Sequence, residues 1–264
     1  DDAGTYNMRP DALEALIGPR TKAVMFVDAL GNPSGVHRIK EICVAYGVPL
    51  IEDAACAIGS SEDGERCGSV ADLTCFSFHP RKLISTGEGG AITTNSDDLA
   101  QWLRVKLAHG ASGSKGIGLD FVDYGYNFRL PELSALMGRR QLAKLDDIVA
   151  ERNRIRNAYL EQLVPLGFVP QAIGDAVTYN VQSLVFTVPD GVDRDALILR
   201  LRGTVETTIG TYALSSGTYF RGKYNRPQPV AARLEATTIT FPCFEGVDVE
   251  AVADAVRTVL GGAS

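Results

Sequence analysis

Apolar residues along this chain fall into two kinds of run, and the alternation between them predicts the architecture. Short unbroken runs bounded by Gly or Pro predict strands buried on both faces, whereas apolar residues spaced three and four apart predict helices. A helix is predicted over 10–17, opened by Asn7 and Pro10 and ended by Gly18-Pro19. A strand follows over 22–27, a break over 31–35, a helix over 36–46 and a strand over 48–52. This β-α-β order calls for a parallel sheet with a right-handed crossover. After a polar surface excursion over 60–68, strands are predicted over 73–78 and 90–94, on either side of a loop that carries Lys82.

Downstream, Ser96-Asp97-Asp98 caps a helix over 99–109. The glycine-rich stretch 110–118 has the composition of an irregular, mobile loop. Pro131 then opens one continuous helix that runs to about Leu163 and links two structural units. Strands over 183–188, 205–209 and 237–241, with helices over 194–202 and 247–260, predict a small α+β unit. The expected fold class is α/β, with a partial large domain over 1–145 and a smaller C-terminal domain over 146–264.

Composition narrows the function. A chain of 264 residues that is 45% hydrophobic can bury a sizeable core. Its net charge of −6 argues against a general nucleic-acid or anionic-membrane partner, since both need a basic face. No apolar run approaches the ~20 residues needed to cross a bilayer. Five scattered cysteines without metal-ligand spacing read as reduced thiols of a cytoplasmic protein, and His37, His79 and His109 are too far apart for a helical metal pair. No metal is expected.

The candidate chemistry gathers around Lys82. Taken alone, Lys82 reads as an exposed loop lysine and Asp53 as the cap of the segment that follows it. Together they read differently. A lysine at the end of a buried strand supplies an amine for a Schiff base, a strand-end carboxylate such as Asp53 faces the ligand crevice of a parallel sheet, and the Ser77 hydroxyl can bind a phosphate oxygen. Amine, acid and hydroxyl are what pyridoxal 5′-phosphate requires.

The ordered set Glu52-Asp53-Ala54-Ala55, Phe76-Ser77-Phe78-His79-Pro80-Arg81-Lys82, Gly87-Glu88-Gly89-Gly90 and Gly125-Tyr126-Asn127-Phe128-Arg129-Leu130 resembles the DegT/DnrJ/StrS-type sugar aminotransferases, fold-type I pyridoxal-phosphate enzymes. The resemblance implies a three-layer, mostly parallel sheet in the large domain. It also implies transfer of an amino group from an amino acid, glutamate or glutamine, to a nucleotide-linked keto-sugar. Lys82 would form the Schiff base, Asp53 would pair with the pyridine nitrogen, and Ser77 would bind the phosphate. Asn127 would reach the phosphate in the neighbouring subunit of a homodimer. Where the family carries glutamine against the ring hydroxyl, this chain has Cys56. The family pattern also starts well before Asp1, so the resemblance implies an N-terminally truncated member that holds the cofactor poorly by itself.

For the substrate, His79 and Arg129 are candidates beside the core motifs. The aromatic and basic stretch 212–224 reads either as a surface loop or as a substrate loop, with Tyr212 and Arg221 as candidates. Cys243, between Pro242 and Phe244, reads as a buried inert thiol, although a nucleophilic cysteine is the alternative. A relative that keeps the scaffold without turnover is the competing functional class.

Overall fold

A computed structural model of the protein describes residues 1–262. Its N-terminal half is organised by one sheet. Helix α1 (Pro10–Leu16) leads into strand β1 (Val24–Val27), then helix α2 (Val36–Ala45) and strand β2 (Leu50–Asp53). The hairpin β3 (Ser61–Glu62) and β4 (Glu65–Arg66) precedes β5 (Leu73–Ser77) and β6 (Gly90–Thr93). The sheet order is β1-β2-β5-β6. The first two pairings are parallel and the last antiparallel.

Side-chain alternation explains the packing. Val24, Phe26 and Leu50 point to one face, where they meet Ile39, Ile42 and Cys43 of α2 and Leu13 of α1. Met25 and Val27, one residue out of phase, are about half exposed on the other face of β1. Burying each of those core side chains contributes about 1.5–3 kcal/mol, which holds the β-α-β unit together.

Helix α3 (Asp97–Leu107) is capped by the Ser96 hydroxyl, which accepts the Leu99 N–H. The glycine-rich stretch after it is a hairpin and not the irregular loop its composition suggests. Strand β7 (Ala111–Lys115) pairs antiparallel with β8 (Gly118–Phe121) across a two-residue turn, and Gly116 supplies the positive φ that such turns need. The small side chains carried no strand signal; the backbone ladder supplies the order.

The predicted long helix is two. Helix α4 (Glu132–Leu142) ends at Ala143, Lys144 has φ −108° and ψ 4°, and α5 (Leu145–Leu163) begins with Asp146 and Asp147 in its first turn. Acidic residues there complement the positive end of a helix dipole, so the sequence does contain a second start signal. Leu145 and Val149 pack with Leu83 and Ile84, whereas Ile155, Tyr159 and Leu163 enter the C-terminal core.

That core is covered by a second sheet. Strands β9 (Val169–Pro170), β10 (Val177–Thr178) and β11 (Leu184–Thr187) precede helix α6 (Arg194–Leu201) and strand β12 (Thr208–Ile209). The strand expected over 205–209 is therefore only two residues long. The stretch 212–224 contains helix α7 (Thr218–Tyr224), followed by α8 (Pro229–Thr237), β13 (Thr238–Phe241) and α9 (Val249–Gly261). The order β12-β13-β11-β9 is antiparallel throughout, and Phe168, Phe186 and Phe241 form edge-on contacts at its centre. Strand β10 leaves this sheet to pair with β3, so the surface excursion over 60–68 is tied to the C-terminal half. No helix among the described residues is long and apolar enough to cross a membrane.

Candidate active site

Parallel strands β2 and β5 end side by side, and the register sets Asp53 opposite Cys75. Asp53 is the last residue of β2, and one of its carboxylate oxygens accepts the Ala55 N–H at 3.1 Å. The turn that follows brings Cys56 to Lys82, with Nζ 3.1 Å from Sγ. Ser77 closes β5 opposite Gly90, and its hydroxyl accepts the His79 N–H at 3.3 Å. Asp53, Cys56, Ser77 and Lys82 thus lie on two adjacent strand ends and the turns leaving them. The Cys75 thiol beneath them is pushed up from its ordinary range, first by burial and then by the Asp53 charge.

Lys82 is half-buried on a turn whose backbone is fixed from outside. The Lys82 N–H donates to the His79 carbonyl at 2.9 Å. The Gln182 side chain accepts the Leu83 N–H and donates to the Arg81 carbonyl, both at 2.8 Å, so one amide clamps the residues on each side of Lys82. Gln141 does the same for Ser85, accepting its N–H and donating to its carbonyl. Asn180 donates to the carbonyls of Cys56 and Ile58 at 2.8 and 2.9 Å. None of these three residues appears among the candidates read from the sequence. They lie in the C-terminal half, and nothing in their local sequence marks them.

Gln182→Ala removes both backbone partners at once. It is expected to cost about 1–3 kcal/mol, since two backbone groups lose their partner. The loss should be local, seen as faster hydrogen exchange at the Leu83 amide with a small fall in melting temperature.

The other candidates are distributed around this centre. The His79 Nδ1 accepts the Arg81 N–H at 3.2 Å, and Nε2 lies 3.9 Å from a Glu88 carboxylate oxygen at the other end of the Lys82 loop. Asn127 is exposed; its side-chain oxygen accepts the Arg129 Nε–H at 2.7 Å, and its backbone bridges Ala108. Arg129 lines a cavity of about 370 Å³ with Cys75, Phe76 and Gly90. Tyr212 is 70% exposed and Arg221 lies exposed on α7, both on a segment separate from the strand ends. Cys243 is buried and its thiol is pushed up by burial, which fits an inert packing role.

An amine, a carboxylate and a hydroxyl grouped at parallel strand ends match a ligand with an aldehyde, a basic ring nitrogen and a phosphate. Residues 2–260 match the model of the DegT/DnrJ/EryC1/StrS aminotransferase family. The chain belongs to this family. DegT/DnrJ/EryC1/StrS aminotransferases use pyridoxal phosphate, and the donor set at Lys82 fits it. Among curated relatives the chain is similar to GDP-perosamine synthase from Caulobacter vibrioides, 39% identical over 63% of this chain and 44% of that protein. It is also similar to the spore coat polysaccharide biosynthesis protein SpsC from Bacillus subtilis, 30% identical over 99% of this chain and 72% of that protein. The aminotransferase TlmJ from Streptoalloteichus hindustanus superposes with a TM-score of 0.90 at 29% identity, covering 99% of this chain and 72% of that one. The chain therefore spans part of the length of each of these family members.

Proposed function

We propose that this chain carries the cofactor site of an aminotransferase that moves an amino group from an amino acid, glutamate or glutamine, to a nucleotide-linked keto-sugar. The observation that supports this most is Lys82 itself, an amine on a turn clamped at Arg81 and Leu83 and facing Cys56, three residues beyond Asp53. Bound pyridoxal phosphate would supply an electron sink for the donor's α-carbon. The chain's own residues do the rest. Lys82 would hold the cofactor's aldehyde carbon and, once released, hold the donor's α-proton at Nζ. Asp53 would keep the ring nitrogen protonated by pairing its charge. Ser77 would donate its hydroxyl to the phosphate, and Cys56 would stand at the ring hydroxyl. His79, Arg129, Tyr212 and Arg221 are assigned to the substrate, with the arginines suited to a diphosphate through bidentate hydrogen bonds.

In this reading residues 1–145 form the cofactor-carrying unit and 146–264 the smaller one. The enzyme works as a cytoplasmic homodimer in which Asn127 reaches the neighbouring subunit's phosphate. The test is transfer of ¹⁵N from labelled glutamate or glutamine across a panel of nucleotide keto-sugars. Labelled amino-sugar that depends on pyridoxal phosphate supports the reading; a chain that takes up the cofactor yet aminates no member of the panel with either donor contradicts it.

Cys56→Gln is expected to bind pyridoxal phosphate as well as the parent chain or better. A thiol is a weak donor, so its replacement by an amide alters the ring contact by about 0.5–1.5 kcal/mol. Absorbance titration measures this, and a large loss of affinity would mean that the pocket is shaped around sulfur.

A further inference from the structure

Behind Asp53 lies a buried acidic cluster that the reaction does not use. Asp28 follows β1 and is 1% exposed; Glu52 in β2 is 0% exposed. With Cys67 they place their ligand atoms within 4.8 Å of one another. Side-chain alternation sends Glu52 to the face of Phe26 and Thr74, opposite to Asp53. The partners are unevenly shared. Glu52 Oε2 accepts the Thr74 hydroxyl at 2.6 Å and the Gly68 N–H at 3.1 Å, while Glu52 Oε1 and both Asp28 carboxylate oxygens have no donor among the described residues.

We propose that Asp28 and Glu52 share one proton, forming a neutral carboxyl on a carboxylate that positions the Asp53 end of β2. A single hydrogen between the two acids serves two of these three oxygens. Protonated Asp28 donates to Glu52 Oε1, and its other oxygen is free to accept the Cys67 thiol. Glu52 keeps the charge because two donors already serve it. Two unpaired carboxylates at 0–1% exposure would be strongly unfavourable. In agreement with this, burial first and the Glu52 charge second hold the Asp28 carboxyl well above the usual carboxylate range; Cys67 is the other titratable group facing it, and the Asp53 charge acts on it from the opposite face of the sheet. The Cys67 thiol is itself pushed up by burial and by both acids, so it remains a neutral donor. A divalent ion fits less well, because a closed site needs a fourth ligand and a thiolate.

The pair acts on Asp53 through the backbone. The Asp28 N–H donates to the Asp53 carbonyl at 3.2 Å, and Glu52 is anchored one residue earlier, so both sides of the Asp53 peptide are held. Asp28 and Glu52 are positioning residues, a role that rests on the reading of Asp53 as the carboxylate of the cofactor site.

Infrared spectroscopy of the full chain at neutral pH tests the shared proton directly. The expected result is a protonated-carboxyl stretch that shifts on deuterium exchange and disappears in Asp28→Asn. An amide reproduces the neutral donor, so Asp28→Asn should melt as high as the parent or higher, whereas Asp28→Ala should melt lower or fail to fold. The sign with pH is fixed. A carboxyl held protonated in the folded state and ionised in the unfolded state contributes fully below the unfolded value of about 3.9, and that contribution is lost as pH rises. The parent should therefore lose melting temperature relative to Asp28→Asn as pH is raised from about 4 upward.

With pyridoxal phosphate, Asp28→Asn should keep the parent's affinity and Asp28→Ala should lose several-fold. Absence of the infrared band, an unchanged pH slope in Asp28→Asn, or Asp28-dependent binding of Zn²⁺ with loss of the band would overturn the proposal. If a longer chain containing these residues takes up no pyridoxal phosphate, the functional reading fails while the infrared and pH results still decide the shared proton.

Discussion

Lys82→Ala is expected to lower amino transfer by on the order of 10⁴-fold or more while leaving the fold in place. The separation follows from where the side chain sits. Lys82 is half-buried, its side-chain partner among the described residues is the Cys56 thiol, and the clamps from Gln182 act on the neighbouring backbone, not on the amine. Removing the amine therefore takes away the group that holds the cofactor and the donor's proton, at a stability cost of about 1 kcal/mol or less. Steady-state kinetics together with thermal melting read the two effects separately. A variant that melts like the parent and still turns over would place the chemistry on another residue.

Gly31→Ala is expected to be the most damaging small substitution for the site's framework. Gly31 has φ +100°, and a Cβ added there would lie 2.1 Å from the Asn180 side-chain oxygen and 2.7 Å from the Cys56 carbonyl oxygen. Neither neighbour can move freely. Asn180 is fully buried, donates to the Cys56 and Ile58 carbonyls and accepts the Gln182 N–H. Displacing it loosens the segment after Asp53 and the Gln182 clamp together. Backbone strain and the broken amide contacts sum to about 3–5 kcal/mol. Chemical denaturation measures the loss. Asn180→Ala in the same chain should recover part of it by opening the space, and a Gly31→Ala chain as stable as the parent would refute the crowding argument.

The strand ends that carry Asp53 and Ser77, and the turn that carries Lys82, were legible because short-range signals mark them, namely an apolar strand, its terminal polar residue and the break after it. Their supports were not. Gln182 stands 99 residues from its partner Leu83, and Asn180 stands 124 from Cys56, and an isolated Asn or Gln carries no periodicity that points so far. Glu52 was read only as part of a strand end, and its pairing with Asp28 depends on the β1–β2 register. The break between α4 and α5 was hidden because apolar spacing continues across it, although Asp146 and Asp147 mark the new start. Asn127 is a different case. The role assigned to it lies on a second subunit, and within one chain its side chain engages Arg129.

The placement of the cofactor on Lys82 is tested most directly by reductive trapping. The chain, or a longer chain containing it, is incubated with pyridoxal phosphate, reduced with borohydride, digested and mapped by mass spectrometry. The predicted result is a pyridoxyl group on the peptide containing Lys82, lost in Lys82→Ala and kept in Cys56→Gln. Label on a different lysine, or undiminished label in Lys82→Ala, would contradict it.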